Sequence, residues 1–566
     1  MRQLTEIERK YDVDRTLRVP DLSRLPGISG LDFPGSMTLT AVYFDTPDLD
    51  LARHQIALRR RDGGADAGWH IKLPADEGRT ELQWPLDTDR AAETGADAPV
   101  PAPVLAPVRA IVRDRPLTPL ARITTIRTTM LLLDETGDPV AELADDDVSA
   151  SDMRGGVFRK WREWEVELFS AAPHARVDRA RLLDAIEAAL TAAGAAPSTS
   201  LAKIARALGV RGLGPAAASS SPADTLPAPQ PQPDARMADS VASVIATLRE
   251  QHARLLAADP AVRADEPGAV STMLHAVQRL RNVLGAYGAL FDSDTVHGID
   301  IDLTALAAVL AEARHTERNR QGLAVLLDAL PPLESLPPGE QTEAVRHAVT
   351  GAADEYRAAA HARAVAGLTQ RPYFGLLDDL DRFLASPPTV KLSPKHAAAA
   401  VRAALQDGVT NLRECARAVT GGEAAGGEAA GEESAPGGSP EPARRQAAAA
   451  AQRLRHAVQA LSTLPASRRG PGAESRRRLA KAAHRAERAL WSDSDSAALA
   501  DYLDGAAAHA RADARADAGG FAGGLVYGLL LGRLAGRAEC AGVSTRPDTA
   551  ALAKAVRRCR ALARKL

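Results

Sequence analysis

Between Leu4 and Val13, Glu6, Glu8 and Lys10 share one parity, and Ile7, Tyr11 and Val13 share the other. Alternate residues of a β-strand point to opposite faces, so this segment predicts a strand with one charged and one largely apolar face. The pattern recurs down the first 210 residues. Arg59 and Arg61 oppose Ile56 and Leu58, and His70 and Lys72 oppose Trp69, Ile71 and Leu73. Arg79 and Glu81 oppose Thr80, Leu82 and Trp84. Glu163, Glu165 and Glu167 oppose Trp164, Val166 and Leu168, and Glu142 and Asp146 share one face of Val140 to Val148.

For any single strand, a half-buried antiparallel sheet with a solvated outer face explains the pattern. The set asks for more. These faces carry Glu and Arg at regular spacing rather than Thr, Ser, Gln and Lys. The charges also segregate: paired carboxylates on the first and last strands, cations on the middle ones. Carboxylates at i and i+2 stand about 6.6–7 Å apart, near enough to share hard cations. Arginines at that spacing can grip successive phosphates with forked donors. If the sheet closes, both sets face one lumen, where neither would be tolerable alone.

The second half has a different grammar. From about residue 236 the chain is Ala-rich with helical spacing, and Gly212 to Pro233, rich in Pro, Ala and Ser, reads as a linker. The expected divisions are 1–211, a linker at 212–235 and a helical domain at 236–566. A Gly/Glu/Ala stretch, Gly421 to Pro442, predicts a disordered loop, and a milder Ala/Pro stretch, Ala91 to Pro107, interrupts the strand half. With 4% aromatics, the cores must be built from Ala, Leu and Val. The net charge of -2 argues against a generic nucleic-acid binder. Cys415, Cys540 and Cys559 have no metal-site spacing and read as reduced thiols of a cytoplasmic protein. The stretch Met1 to Tyr11 has no apolar h-region, and Phe521 to Leu531 is too short to span a bilayer, so no membrane role is expected.

The segment Glu6-Ile7-Glu8-Arg9-Lys10 resembles the ExExK signature of CYTH domains, the triphosphate tunnel metalloenzymes. Further elements follow in order: Tyr43-Phe44-Asp45-Thr46, Leu58 to Arg61, Lys72, Arg79-Thr80-Glu81, Glu142 with Asp146, Glu165-Val166-Glu167, and Lys203 within Leu201 to Leu208. The resemblance implies an α+β chain whose N-terminal antiparallel β-barrel, a tunnel with covering helices, precedes the helical domain. It implies that Glu6, Glu8, Glu142, Asp146, Glu165 and Glu167 hold Mg²⁺ or Mn²⁺. Lys10, Arg59, Arg61, Lys72, Arg79, Arg127 and Lys203 would bind the triphosphate, and Glu6, Glu8, Lys10 and Glu81 would form the catalytic group. Arg122 and Arg127 have opposite parity, so one strand cannot aim both inward, and Arg127 is the one assigned. Trp69, Trp84 and Trp164 fall on the outward parity. The lumen therefore has no tryptophan platform for an organic leaving group, which favours inorganic tripolyphosphate hydrolysed to pyrophosphate and phosphate. A thiamine triphosphatase or adenylate cyclase on the same scaffold, and a non-catalytic polyphosphate-binding or scaffold protein, stand as alternatives.

In the helical half, Gln278-Arg279-Leu280-Arg281 recurs as Gln452-Arg453-Leu454-Arg455. The repeat predicts two related helical bundles and resembles the CHAD domain, which is associated with polyphosphate. The family's basic helix opens with His and carries several more Arg; those places hold Ser271, Leu274 and Gln278 in the first repeat and Arg445, Ala448, Ala449 and Gln452 in the second. Arg279, Arg281, Arg314, Arg453 and Arg455 remain as the implied polyphosphate ligands.

Overall fold

The computed structural model describes residues 1–86, 99–199, 203–209, 239–328, 340–388, 394–425, 441–462, 472–490, 499–500, 502–504, 530 and 549–564. The 212–235 linker, nearly all of Phe521 to Leu531, and Cys540 lie outside them. The chain divides into two compact units, Met1–Pro229 and Gln230–Leu566.

The first unit is built on one antiparallel sheet. Its strands are β1 (Arg2–Glu6), β2 (Glu8–Asp12), β3 (Gly30–Asp45), β4 (Ala57–Asp62), β5 (Gly68–Pro74), β6 (Arg79–Pro85), β7 (Thr118–Leu133), β8 (Pro139–Asp152), β9 (Phe158–Leu168) and β10 (Ala196–Pro197). The long β7 runs Ile, Thr, Thr, Ile, Arg, Thr, Thr, a β-branched sequence that suits a pleated, half-buried surface.

The strand order is β1-β6-β5-β4-β3-β7-β8-β9-β2-β10. Only Ile7 separates β1 from β2. The first half of this N-terminal strand pairs with β6 and the second half with β9. The Leu168 amide donates to the Ile7 carbonyl at 2.9 Å. The sheet therefore closes on itself through its own N-terminus, which removes the exposed edges a flat sheet would leave.

The barrel is apolar outside and charged inside. Helix α4 (Arg176–Ala193) lays Leu182, Leu183, Ile186 and Leu190 on the outer faces of Tyr11, Leu143, Trp164 and Val166. Short helices α2 (Ala102–Leu105) and α3 (Arg109–Val112) put Val104, Val108 and Val112 against Phe44, Leu58, Trp69, Ile71 and Leu82. The first of these turns, α2, lies within the Ala/Pro stretch that the composition read as an interruption. Pro101 caps it, where its missing amide costs nothing. Besides α1 (Asp50–Arg53), the unit has one more described helix, α5 (Lys203–Leu208). Its Ile204, Ala207 and Leu208 pack with Tyr43, Leu120, Ile123 and Trp161.

The second unit is helical: α6 (Asp239–Arg263), α7 (Ala269–Tyr287), α8 (Ser293–Asp328), α9 (Glu340–Gly367), α10 (Arg371–Ala385), α11 (Pro394–Ala425), α12 (Glu441–Ala460), α13 (Ala473–Leu490) and α14 (Thr549–Ala563). Helix α11 extends to Ala425, so the first five residues of the stretch read as a loop are helical. The repeated segments lie on α7 and α12, which pack together with Leu280 and Leu454 buried. Asn282 donates to His456 Nδ1 at 3.0 Å, and the Tyr287 hydroxyl donates to the Ala457 carbonyl at 2.7 Å. Asp259, fully buried on α6, accepts from Arg263 and from the hydroxyl of Tyr373, which ties α6 to α10. Among the described residues, no helix is long and apolar enough to cross a membrane.

Candidate active site

Strand register decides which charges meet in the lumen. Glu6 faces Arg79 across β1–β6, and Lys72 faces Glu81 across β5–β6. Across β2–β9, Glu8 faces Glu167 and Lys10 faces Glu165. Arg127 faces Asp146 across β7–β8, and Glu142 faces Glu167 across β8–β9. Directly opposed residues are the ones whose side chains can touch, so period-two parity and pairing together build the site.

The lumen is a cavity of about 350 Å³. It is lined by Glu6, Glu8, Lys10, Arg59, Arg61, Lys72, Arg79, Glu81, Arg127, Glu142, Glu165, Glu167 and Lys203. Every barrel residue singled out from the sequence thus reaches the cavity wall except Asp146. Asp146 has no exposed surface, and Arg127 and Lys203 reach it from the lumen. Arg122, of the other parity, is exposed outside.

Most of the lumen cations are held by carboxylates. Lys10 Nζ is 2.8 Å from Glu8 Oε2 and also binds Glu165. Lys72 donates to Glu6 Oε1 at 2.5 Å. Arg127 reaches both oxygens of Asp146 at 2.8 Å and Glu165 Oε2 at 2.6 Å, with Glu142 at 3.7 Å. Arg59 donates to Glu81 and to the Tyr43 hydroxyl, each at 3.4 Å, and Arg61 pairs with Asp66. Arg79 Nη2 donates to the Gln55 carbonyl at 2.6 Å, an anchor outside the carboxylate set.

Two lumen-side residues were not assigned a role from the sequence. Glu163 shares the parity of Glu165 and Glu167, which was visible, but parity gives the face and not the depth along the barrel. His70 is fully buried, with Nδ1 3.0 Å from Glu81 Oε1 and Nε2 2.9 Å from the Asp66 carbonyl. It braces Glu81 from behind while Gln83 donates to the other oxygen at 2.8 Å.

The electrostatics follow from this crowding. Burial raises the Glu81 carboxyl, but the His70 hydrogen bond and the charges of Lys72 and Arg59 outweigh it and hold it well below the ordinary range. Burial likewise raises Glu8 and Glu165. Lys10 with Lys72 reverses this for Glu8, and Lys10, Lys203 and Arg127 reverse it for Glu165, so both end lowered. Glu167 goes the other way. Burial, then Glu6, Glu8 and Glu165, push it up to about 7. Burial and the neighbouring Arg59 bring Arg61 down to about 10.

These residues fit a hard metal ion. The Glu6 Oε2 atom is buried without a hydrogen-bond partner, and Glu167 is a carboxylate short of positive charge. Oxygens of Asp146, Glu163 and Glu165 lie within 4.8 Å of one another. An all-carboxylate donor set suits Mg²⁺-like ions rather than soft ones.

In the helical unit, Arg279, Arg455, Arg314 and Arg318 gather around His275 and His456. Burial and the neighbouring Arg455, Arg279 and His275 bring His456 down to about 3, and burial with Arg314, Arg318 and Arg455 lowers His275. Arg279 Nε is buried with no hydrogen-bond partner. Arg455 also donates to both oxygens of Glu487, at 2.7 and 3.2 Å, while Arg281 and Arg453 lie away from the cluster. Arg281 pairs with Asp300 at 3.0 Å, and Arg453 is exposed. The reason is helical: residues two apart are separated by roughly 200° around the axis, so both arginines of one motif cannot share a face.

A charged tunnel closed by its own N-terminal strand and followed by a helical unit defines a class. The chain belongs to the proteins that join a CYTH domain, here residues 4–192, to a CHAD domain, here residues 246–504. The uncharacterized protein Rv2226 of Mycobacterium tuberculosis is 36% identical over 391 residues, covering 67% of this chain and 70% of the relative. Among solved structures, the CHAD domain from the plant Ricinus communis is 19% identical, with a TM-score of 0.38, covering 57% of this chain and 93% of that one. The adenylyl cyclase-like HpAC1 from Hippeastrum, described as revealing a dominant triphosphatase activity, is 20% identical with a TM-score of 0.24, covering 36% of this chain and 95% of that one. CYTH family members are metal-dependent triphosphatases or cyclases that bind triphosphates.

Proposed function

We propose that the barrel is a Mg²⁺- or Mn²⁺-dependent triphosphatase that converts inorganic tripolyphosphate to pyrophosphate and phosphate. One observation carries the reading: a single cavity of about 350 Å³ holds both the cation set and the carboxylate set. A wall of cations alone would bind any polyanion. Carboxylates among them would repel it, unless a metal stood between them and the phosphates.

Arg59, Arg61, Arg79 and Lys72 line the lumen as phosphate ligands, and forked guanidinium donors fix the orientation of the chain of phosphates. Glu81, held ionised between His70, Gln83 and Arg59, sets the Arg59 guanidinium. Glu6, Glu8, Glu142, Asp146, Glu165 and Glu167, with Glu163, are the oxygen donors available to the metal. When bound, that metal neutralises phosphate oxygens and lowers the pKa of a coordinated water.

The aromatic side chains on the cavity wall are Tyr43 and Phe169. Tyr43 is buried in the α5 cluster and accepts from Arg59, so it offers no open stacking face, and the half-buried Phe169 offers one ring without a second to sandwich a base. This favours a substrate without a base. Phosphate release from tripolyphosphate, ATP and thiamine triphosphate, measured separately and in competition, checks the assignment. Tripolyphosphate should be preferred by kcat/KM and should inhibit turnover of the others. A preference for either organic triphosphate would move the assignment to it.

The helical unit supports a second, additive role. The Arg279, Arg314 and Arg455 cluster, with an unpartnered buried donor on Arg279, favours an anion such as a polyphosphate chain. Saturable, salt-sensitive polyphosphate binding should be lost in Arg279→Ala with Arg455→Ala. Binding unchanged by that pair would leave the unit as a scaffold.

A further inference from the structure

Lys203, the first described residue of α5, reaches back into the barrel. Its Nζ lies 2.9 Å from Asp146 Oδ2, 2.8 Å from Glu163 Oε1 and 2.6 Å from Glu165 Oε1. Those three residues are the ones whose carboxylate oxygens cluster within 4.8 Å. The ammonium therefore stands at their common focus. A Mg²⁺-like ion shared by them would take the same place, with the carboxylate oxygens drawn in around it. All three carboxylates are buried, so little water separates or screens charges at this point. One focus cannot hold both an ammonium and a divalent cation.

We propose that Lys203 is a built-in counter-cation that competes with the divalent metal for Asp146, Glu163 and Glu165. The proposal rests on the metal-dependent reading of the barrel and adds a coupling to it. Without metal, Lys203 neutralises the carboxylates. With metal, it is expelled into the lumen that it lines and becomes a phosphate ligand. A triphosphate in the lumen draws Lys203 off its carboxylates and so opens the metal's place. Metal and triphosphate then tighten each other's binding, because linkage is reciprocal.

The exchange needs only the side chain to move. The α5 backbone is anchored separately: Arg159 Nη1 donates to the Ala207 carbonyl at 2.6 Å, and Arg206 pairs with Asp12. The Arg206 guanidinium also sits 4.9 Å from the Trp161 ring centre. Lysine suits the role, as a compact charge on a flexible four-carbon stem. Arg127 stays on Asp146 and Glu165 throughout and keeps them aligned.

The test is Mn²⁺ binding to the full chain, followed by the electron paramagnetic resonance signal of free Mn²⁺, with and without tripolyphosphate. Hydrolysis is not read. If no Mn²⁺ binds the wild type, the metal-dependent reading fails. If it binds, the exchange is decided by the variants. Lys203→Met should bind Mn²⁺ at least tenfold more tightly than wild type and lose most of the tightening caused by tripolyphosphate. Glu163→Gln should bind it more weakly. Unchanged or weaker affinity in Lys203→Met would overturn the proposal, as would unchanged affinity in Glu163→Gln. Lys203→Met also removes a counter-charge from buried carboxylates, so its folding is followed by tryptophan fluorescence. A barrel that melts without metal and is restored by Mn²⁺ supports the exchange. One that stays unfolded at saturating Mn²⁺ overturns it.

Discussion

Arg127 grips Asp146 with two parallel hydrogen bonds, Nε to Oδ1 and Nη2 to Oδ2, each 2.8 Å long. Asp146 has no exposed surface, so this is a buried forked pair. Breaking such a pair strands a charge. Arg127→Ala should therefore lower barrel stability by about 3 kcal/mol, the remaining pair with Lys203 keeping the loss from being larger. Four of the five tryptophans, at 69, 84, 161 and 164, lie in the first unit, so the urea midpoint followed by tryptophan fluorescence reads this directly. An unchanged midpoint would show that the pair contributes nothing.

Glu81 gives a pH dependence. Its folded carboxyl is held below the ordinary value. The stability it contributes is thus fully present above the ordinary carboxylate range, near pH 4.5, and is lost as pH falls below it toward the folded value. Barrel stability should drop as pH falls below about 4.5. Glu81→Gln should be less stable at pH 7 and show a shallower acid loss. A variant that parallels wild type across that range would contradict the assignment.

Glu167 has the opposite sign. Its folded carboxyl, raised to about 7, costs stability as pH rises from the ordinary carboxylate range through 7. In the metal-free protein at pH 8, Glu167→Gln should raise the melting temperature. Mn²⁺ should stabilise wild type more than the variant. Equal Mn²⁺ shifts in the two would remove Glu167 from the metal's donors.

Gly78 places Glu6. Its φ is +68°, and a Cβ there would stand 2.1 Å from the Glu6 carbonyl oxygen. Gly78→Ala is strained on both counts and should cost more than about 1 kcal/mol. It should also reduce turnover by displacing Glu6, which carries a buried carboxylate oxygen without a hydrogen-bond partner. Full activity with normal stability would show that β6 tolerates the shift.

Parity was legible in the sequence, and it carried most of the site. Glu6 with Glu8 and Arg59 with Arg61 follow from a period of two, which also separates Arg122 from Arg127 without saying which of them faces inward. Closure was legible through the family resemblance and not through parity, because it depends on Ile7 splitting one strand between β6 and β9, and no local pattern encodes a partner. Depth was not legible either. Glu163 and Glu165 share a face, yet what places Glu163 among Asp146, Glu165 and Lys203 is the register and the return of α5. In the helical unit, the repeated Arg-Leu-Arg motif marked the helices. The 3.6-residue period then separated Arg279 from Arg281, and Arg453 from Arg455, a distinction the repeat itself does not state.

The central claim is that the barrel hydrolyses a triphosphate with a metal held by its carboxylates. The most direct measurement is phosphate released from tripolyphosphate with Mg²⁺ or Mn²⁺, in wild type and in the double variant Glu6→Ala, Glu8→Ala. The account predicts metal-dependent turnover in wild type and its loss, by at least a hundredfold, in the folded double variant. Turnover retained by that variant, or absent from folded wild type with either metal, would contradict it.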